Sequence, residues 1–155
     1  KEGQYDAIIL ARAGVKRLGL GATFQQDLTP PDFLPAVGQG ALGVEMREDR
    51  KDLRELLAFM EDEPTRLCVM AERSFLRRLD GGCQVPIAAH AVLEGGELSL
   101  QALVAGTDGK TVIRGSLRAA ASHEEAERMG VALAEDLLSR GADRILAELY
   151  DGQEG

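Results

Sequence analysis

Three runs of strand-forming residues, Ile87 to Leu93, Leu98 to Ala105 and Thr111 to Ala119, follow one another with Gly95-Gly96 and Asp108-Gly109 between them. Those dipeptides supply the positive φ that tight hairpin turns demand, so the spacing predicts an antiparallel meander. Three strands need a second layer to bury a face, and the flanking sequence offers helices. Upstream, Pro64 suits the first turn of a helix running to Leu79, with Leu67, Met70, Ala71, Phe75 and Leu79 as its apolar stripe and Asp80-Gly81-Gly82 as its stop. Downstream, Ser122 and Glu125 form a capping-box pair ahead of a long helix with Ala126, Met129, Leu133 and Leu137 turned inward. Gly141 ends that helix, and Ala142 to Tyr150 makes a last one. From about residue 61 onward the order is therefore α-β-β-β-α-α, a unit able to bury a core with its helices on one face of the sheet.

The first 60 residues read differently. Tyr5 to Ala11 is a continuous apolar run, which fits a strand covered on both faces as in a parallel α/β sheet. A short helix from Ala13 to Leu18 follows. Gly19 to Ala36 holds Pro30, Pro31 and Pro35 and reads as an irregular crossover. Ala41 to Met46 is a second short strand, and a helix from about Asp49 to Phe59 carries Leu53, Leu56, Leu57 and Met60 on one side. A strand buried on both faces needs neighbours that this stretch does not supply. The chain also opens Lys1-Glu2-Gly3 with no initiator Met just ahead of that strand, which reads as a chain joined partway through a larger protein.

Composition removes several function classes. At 155 residues, 45% apolar and 28% charged, the sequence is that of a globular protein. Its net charge of −8 argues against a phosphate-backbone footprint, and 4% aromatics with no Trp against a base-stacking surface. The expectation is no nucleic acid and no membrane partner, since no apolar run is long enough to cross a bilayer. Cys68 and Cys83 are too few for a disulfide framework, which points to a reducing, cytoplasmic setting. His90 and His123 lack second ligands at metal spacing, so no metal site is expected.

Three stretches bear on chemistry. Gly38-Gln39-Gly40-Ala41-Leu42-Gly43 matches the dinucleotide fingerprint, but prolines precede it and a strand follows, so no helix N-terminus meets a pyrophosphate. A hinge where backbones pass closely is the better reading. Gly81-Gly82-Cys83-Gln84-Val85-Pro86 places a cysteine in a loop with room beside its sulfur, and Arg77 and Arg78 in the preceding turn could favour a thiolate; a turn with an incidental Cys is the competing reading. Arg12 and Arg17 lie just past the first strand, where open α/β sheets bind ligands and cations suit an anion; a solvated helix face explains them equally well. Cys68, between Leu67 and Val69, reads as inert core.

Taken together, these segments resemble the porphobilinogen deaminase (hydroxymethylbilane synthase) family. The resemblance runs through Tyr5-Asp6-Ala7-Ile8-Ile9-Leu10-Ala11, Ala13 to Leu20, Leu34-Pro35-Ala36-Val37-Gly38-Gln39-Gly40-Ala41-Leu42-Gly43, and Ala71-Glu72-Arg73 through Gly81-Gly82-Cys83-Gln84-Val85-Pro86-Ile87. It implies a cytoplasmic transferase of tetrapyrrole and heme biosynthesis that joins four porphobilinogen molecules head to tail, releasing ammonia each time, and frees hydroxymethylbilane by hydrolysis. It implies a dipyrromethane cofactor bound by thioether to Cys83, beside Gly82. Arg17 falls at a family position that contacts pyrrole carboxylates, and Gln39 at one lining the cleft. Porphobilinogen and linear pyrrole intermediates are the implied partners.

The implied fold class is α/β with an α+β C-terminal domain. Residues 1–40 would be the C-terminal part of a second, periplasmic-binding-protein-like α/β domain, 41–60 a segment returning to the first such domain, and 61–155 the cofactor-attachment domain. The resemblance covers the C-terminal half of the family enzyme, so the catalytic Asp is expected in the missing N-terminal half, also a partner, and none of the catalytic residues in this chain. Alone the chain would be inactive. A small non-catalytic regulatory or ligand-binding α/β module is the alternative that the α-β-β-β-α-α pattern by itself allows.

Overall fold

The computed structural model describes residues 3–21, 25–80 and 86–151, the last three without their side chains. Helix α1 spans Arg12–Arg17, α2 Lys51–Leu57 (continued by a 3-10 turn, Ala58–Met60) and α3 Glu63–Arg78. Strands β1 (Ile87–Glu94), β2 (Glu97–Ala105) and β3 (Val112–Ala120) follow, then α4 (His123–Leu137), a π-turn (Leu138–Ala142) and α5 (Asp143–Asp151).

The meander forms as its turns dictate. The sheet order is β1-β2-β3, both pairs antiparallel, with Ala91 opposite Leu100 and Leu100 opposite Leu117. Gly95 and Gly96 take φ of 58° and 83°, the two positive values a tight right-twisted hairpin requires. The second connection is wider than its Asp-Gly signal suggests. Residues 106–111 form a loop closed by Gly106 N to Thr111 O (2.9 Å), with Asp108 Oδ1 accepting from Lys110 N (3.0 Å).

Helices α3 and α4 cover one face of the sheet, α3 over β1 and α4 over β3. They run parallel: Glu63 meets His123 at their first turns and Arg78 meets Glu135 at their last, each at 2.6 Å. Asp62 caps α3 by accepting from Thr65 N (3.0 Å), and Ser122 caps α4 by accepting from Glu125 N (3.2 Å). The expected stripes are the core: Leu67, Ala71, Phe75 and Leu79 from α3, and Ala126, Met129, Leu133 and Leu137 from α4, pack on Leu98, Leu100, Ala102 and Val104 of β2. Burying each such leucine or phenylalanine contributes about 1.5–3 kcal/mol. Where the helices cross, a Cβ on Gly130 would stand 2.3 Å from the Ala71 carbonyl oxygen and 2.7 Å from Phe75 N, so only glycine permits this approach.

The first 60 residues depart from expectation. Neither Tyr5–Ala11 nor Ala41–Met46 joins a β-ladder; both stretches run without partner strands. Tyr5, Ile8, Ile9, Leu42, Leu56 and Phe59 are exposed. A strand needs another backbone to bond, and no described segment offers one. Among the described residues of this section, the stretch from Pro31 to Gly38 docks. Leu34 is buried, Val37 packs against the core, and Arg114 Nη1 donates to Pro31 O (3.2 Å).

Candidate functional site

Of the four site residues indicated by the sequence, Arg17 and Gln39 lie among the described residues; Cys83 and Gly82 lie outside them. Both flanks of residues 81–85 are nonetheless among the described residues. Leu79 N bonds Phe75 O (3.2 Å) at the end of α3, and Pro86 O accepts from Ala105 N (3.0 Å) at the start of the sheet. Residues 81–85 connect these two anchors.

Arg17 closes α1, exposed, where a cation suits the negative helix end. Arg12, its companion on α1, pairs with Asp27 at 3.1 Å, which makes it the less available anion ligand. Gln39 is exposed at the apex of a tight turn, with Gln39 N bonding Ala36 O (3.0 Å) and Ala41 N bonding Gly38 O (3.2 Å). Gly38 and Gly40 take φ of 71° and 91°, and a Cβ on either would meet open space. The glycines are therefore there for backbone conformation, and among the described residues no backbone passes close to them as expected at this hinge. No hydrogen bond or ion pair links Arg17 with Gln39 among the described residues.

The two cysteines differ chemically. Burial, reinforced by the Glu72 charge, pushes the Cys68 thiol up, so it holds little thiolate at neutral pH and makes a poor nucleophile. The Cys83 thiol that Arg77 and Arg78 are expected to favour lies outside the described residues. Arg77 bonds Ser74 Oγ (3.1 Å), and Arg78 is committed to Glu135 on α4. His90 and His123 occupy the strand and first-turn positions expected, and among the described residues no cluster of three metal-ligating side chains exists. A groove of about 520 Å³ beside Asp108, Arg140 and Arg144 contains none of the candidate residues. No described helix is long and apolar enough to cross a membrane.

Sequence reasoning passed over Glu72. It is buried in α3, and its carboxylate accepts from Gly38 N (2.6 Å) and Ala91 N (2.8 Å). The available signal was an acid set beside Ala71 on the apolar side of an otherwise regular stripe.

Two family models match, one over each half of the chain. Residues 66–139 match "Porphobilinogen deaminase, C-terminal domain" and residues 1–55 match "Porphobilinogen deaminase, dipyromethane cofactor binding domain". The chain belongs to the porphobilinogen deaminase family. A porphobilinogen deaminase of Nitratidesulfovibrio vulgaris strain Miyazaki F is 56% identical over 156 residues, covering 99% of this chain and 49% of its own length. That of strain DP4 is 53% identical over 150 residues, covering 96% of this chain and 47% of its own. The chain thus spans about half the length of these curated relatives. Both halves match porphobilinogen deaminase models, which favours the deaminase reading over the regulatory-module alternative.

Proposed function

We propose that residues 1–155 are the cofactor-carrying part of a hydroxymethylbilane synthase, which joins four porphobilinogen molecules with release of ammonia and frees the tetrapyrrole by hydrolysis. The observation that carries this is the match to both family models in order along one chain. Cys83 carries the dipyrromethane through a thioether, beside Gly82. The raised thiol of Cys68 supports Cys83 as the attachment point, because a thiolate is the nucleophile in such a bond. When bound, the dipyrromethane supplies the pyrrole carbon onto which substrate units add.

The roles of this chain's own residues follow from their chemistry. Pyrroles bear acetate and propionate groups, which an arginine fork binds with two parallel hydrogen bonds; Arg17, exposed and without an ion pair among the described residues, is placed for that. Gln39, at its turn, offers an amide donor and acceptor to the same ligand. Residues 1–40 and 41–60 belong to two binding-protein-like domains, and 61–155 is the attachment domain. The exposed apolar side chains from Tyr5 to Met60 fit surfaces covered by the rest of such an enzyme, which supplies the catalytic Asp. The setting is cytoplasmic.

The test uses the complete protein in which these residues occur, assayed for porphobilinogen consumption. Cys83→Ser should abolish turnover with the fold intact, whereas Cys68→Ser should retain it. Arg17→Leu should raise KM by about tenfold or more, the value of a lost charge-assisted bond. Wild-type kinetics in Cys83→Ser would overturn the reading.

A further inference from the structure

The Glu72 carboxylate bonds backbone from two separate parts of the chain. Oε1 accepts from Ala91 N at 2.8 Å and Oε2 from Gly38 N at 2.6 Å, while His90 Nδ1 lies 4.0 Å from Oε1. Ala91 lies on β1, an edge strand, whose outward amides have no strand to pair with among the described residues. Gly38 opens the turn that presents Gln39. A buried carboxylate is retained only where its oxygens are bonded, and here each oxygen takes one amide. Two donors arriving from two directions need two acceptor atoms, and a carboxylate provides them with no donor of its own. A glutamine of the same size provides one oxygen and sets an NH₂ against the other amide.

We propose that Glu72 is the positioning residue that fixes the Gly38–Gly40 turn, and with it Gln39, against the domain bearing Cys83. The proposal rests on the reading of Gln39 as a residue of the pyrrole site. Glu72 touches no ligand in this scheme. It acts by joining α3, the edge of the sheet and the crossover at one point, while Leu34 and the Arg114–Pro31 bond hold the crossover a few residues earlier. The turn that offers the amide group is thereby tied to α3, which bears Glu72 and ends at Arg78.

The test compares wild type, Glu72→Gln and Gln39→Ala in the complete protein. It reads backbone hydrogen exchange over residues 36–41, cofactor loading by intact mass, and kcat and KM with porphobilinogen. In Glu72→Gln, exchange at 36–41 should quicken by about tenfold or more, with cofactor loading retained and KM raised more than kcat is lowered, as in Gln39→Ala. Exchange at the wild-type rate would overturn the proposal. So would faster exchange with wild-type kinetics, if Gln39→Ala does impair KM. Wild-type kinetics in Gln39→Ala would instead remove Gln39 from the site, and the exchange result alone would then decide whether Glu72 holds the turn. If Glu72→Gln does not fold, the wild type decides: Gly38 and Ala91 amide protons bonded to one carboxylate resonate well downfield, and ordinary amide shifts would overturn the proposal.

Discussion

Cys68 lies on α3 between Leu67 and Val69, where burial and the Glu72 charge raise its thiol above the ordinary range. With Cys83 held in a thioether, neither cysteine of residues 1–155 should react fast near pH 7 in the native holoenzyme, and denaturation should expose Cys68 to labelling. Rapid native labelling of Cys68 would contradict this. Asp62 shows the opposite electrostatic sense. The Thr65 hydroxyl and backbone N–H hold its carboxyl below the usual carboxylate value. A depressed folded pKa contributes stability above the unfolded value, about 3.9, and loses it as pH falls through the folded one. Asp62→Ala should therefore lower Tm at pH 7, with the difference from wild type shrinking below about pH 4; a pH-independent difference would remove the cap bond as its cause. Cys68 sits on the helix the sequence indicates, partly buried against the core, whereas the Asp62 cap ahead of Pro64 has no place in the sequence reading. Glu72 was hidden because its partners are backbone amides 34 and 19 residues away, and backbone amides carry no sequence signature.

Among the secondary-structure elements, the parallel crossing of α3 and α4 depends on the absence of one side chain. Gly130→Ala would gain about 1 kcal/mol of intrinsic helix preference. Its Cβ, however, would meet backbone atoms of α3, which cannot turn aside as a side chain can. The net effect should be destabilising by about 1–3 kcal/mol. Gly115→Ala is the control, since its Cβ would meet the ends of the Leu133 and Leu137 side chains at 2.8 and 2.9 Å, which can shift. Thermal unfolding should rank Gly130→Ala below Gly115→Ala; the reverse order would contradict the crossing. The meander, its helices and their buried stripes were all legible, because turn chemistry and periodicity are local signals. The 106–111 loop is wider than its Asp-Gly signal implies because the Asp108 side chain bonds Lys110 N inside the Gly106–Thr111 closure. Tyr5–Ala11 reads as a strand from apolarity alone, and a strand is completed only by a neighbour.

At the scale of the whole molecule, stability and exposed apolar surface are separated along the chain. Among the described residues every buried hydrophobic except Leu34 comes after residue 66, while Tyr5, Ile8, Ile9, Leu42 and Phe59 face outward. Residues 61–151 expressed alone should unfold cooperatively on heating, whereas residues 1–60 alone should show no cooperative transition. In the proposed reading residues 61–151 are a self-sufficient carrier, and the exposed apolar side chains before them fit a surface that the rest of the enzyme covers. The central claim is that the carrier's thiol is Cys83. The most direct measurement is the intact mass of the complete protein, followed by peptide mapping of residues 79–87. The account predicts an added mass of two linked pyrrole units on the Cys83 peptide, with Cys68 unmodified. Full turnover by protein whose Cys83 peptide carries no addition would contradict it.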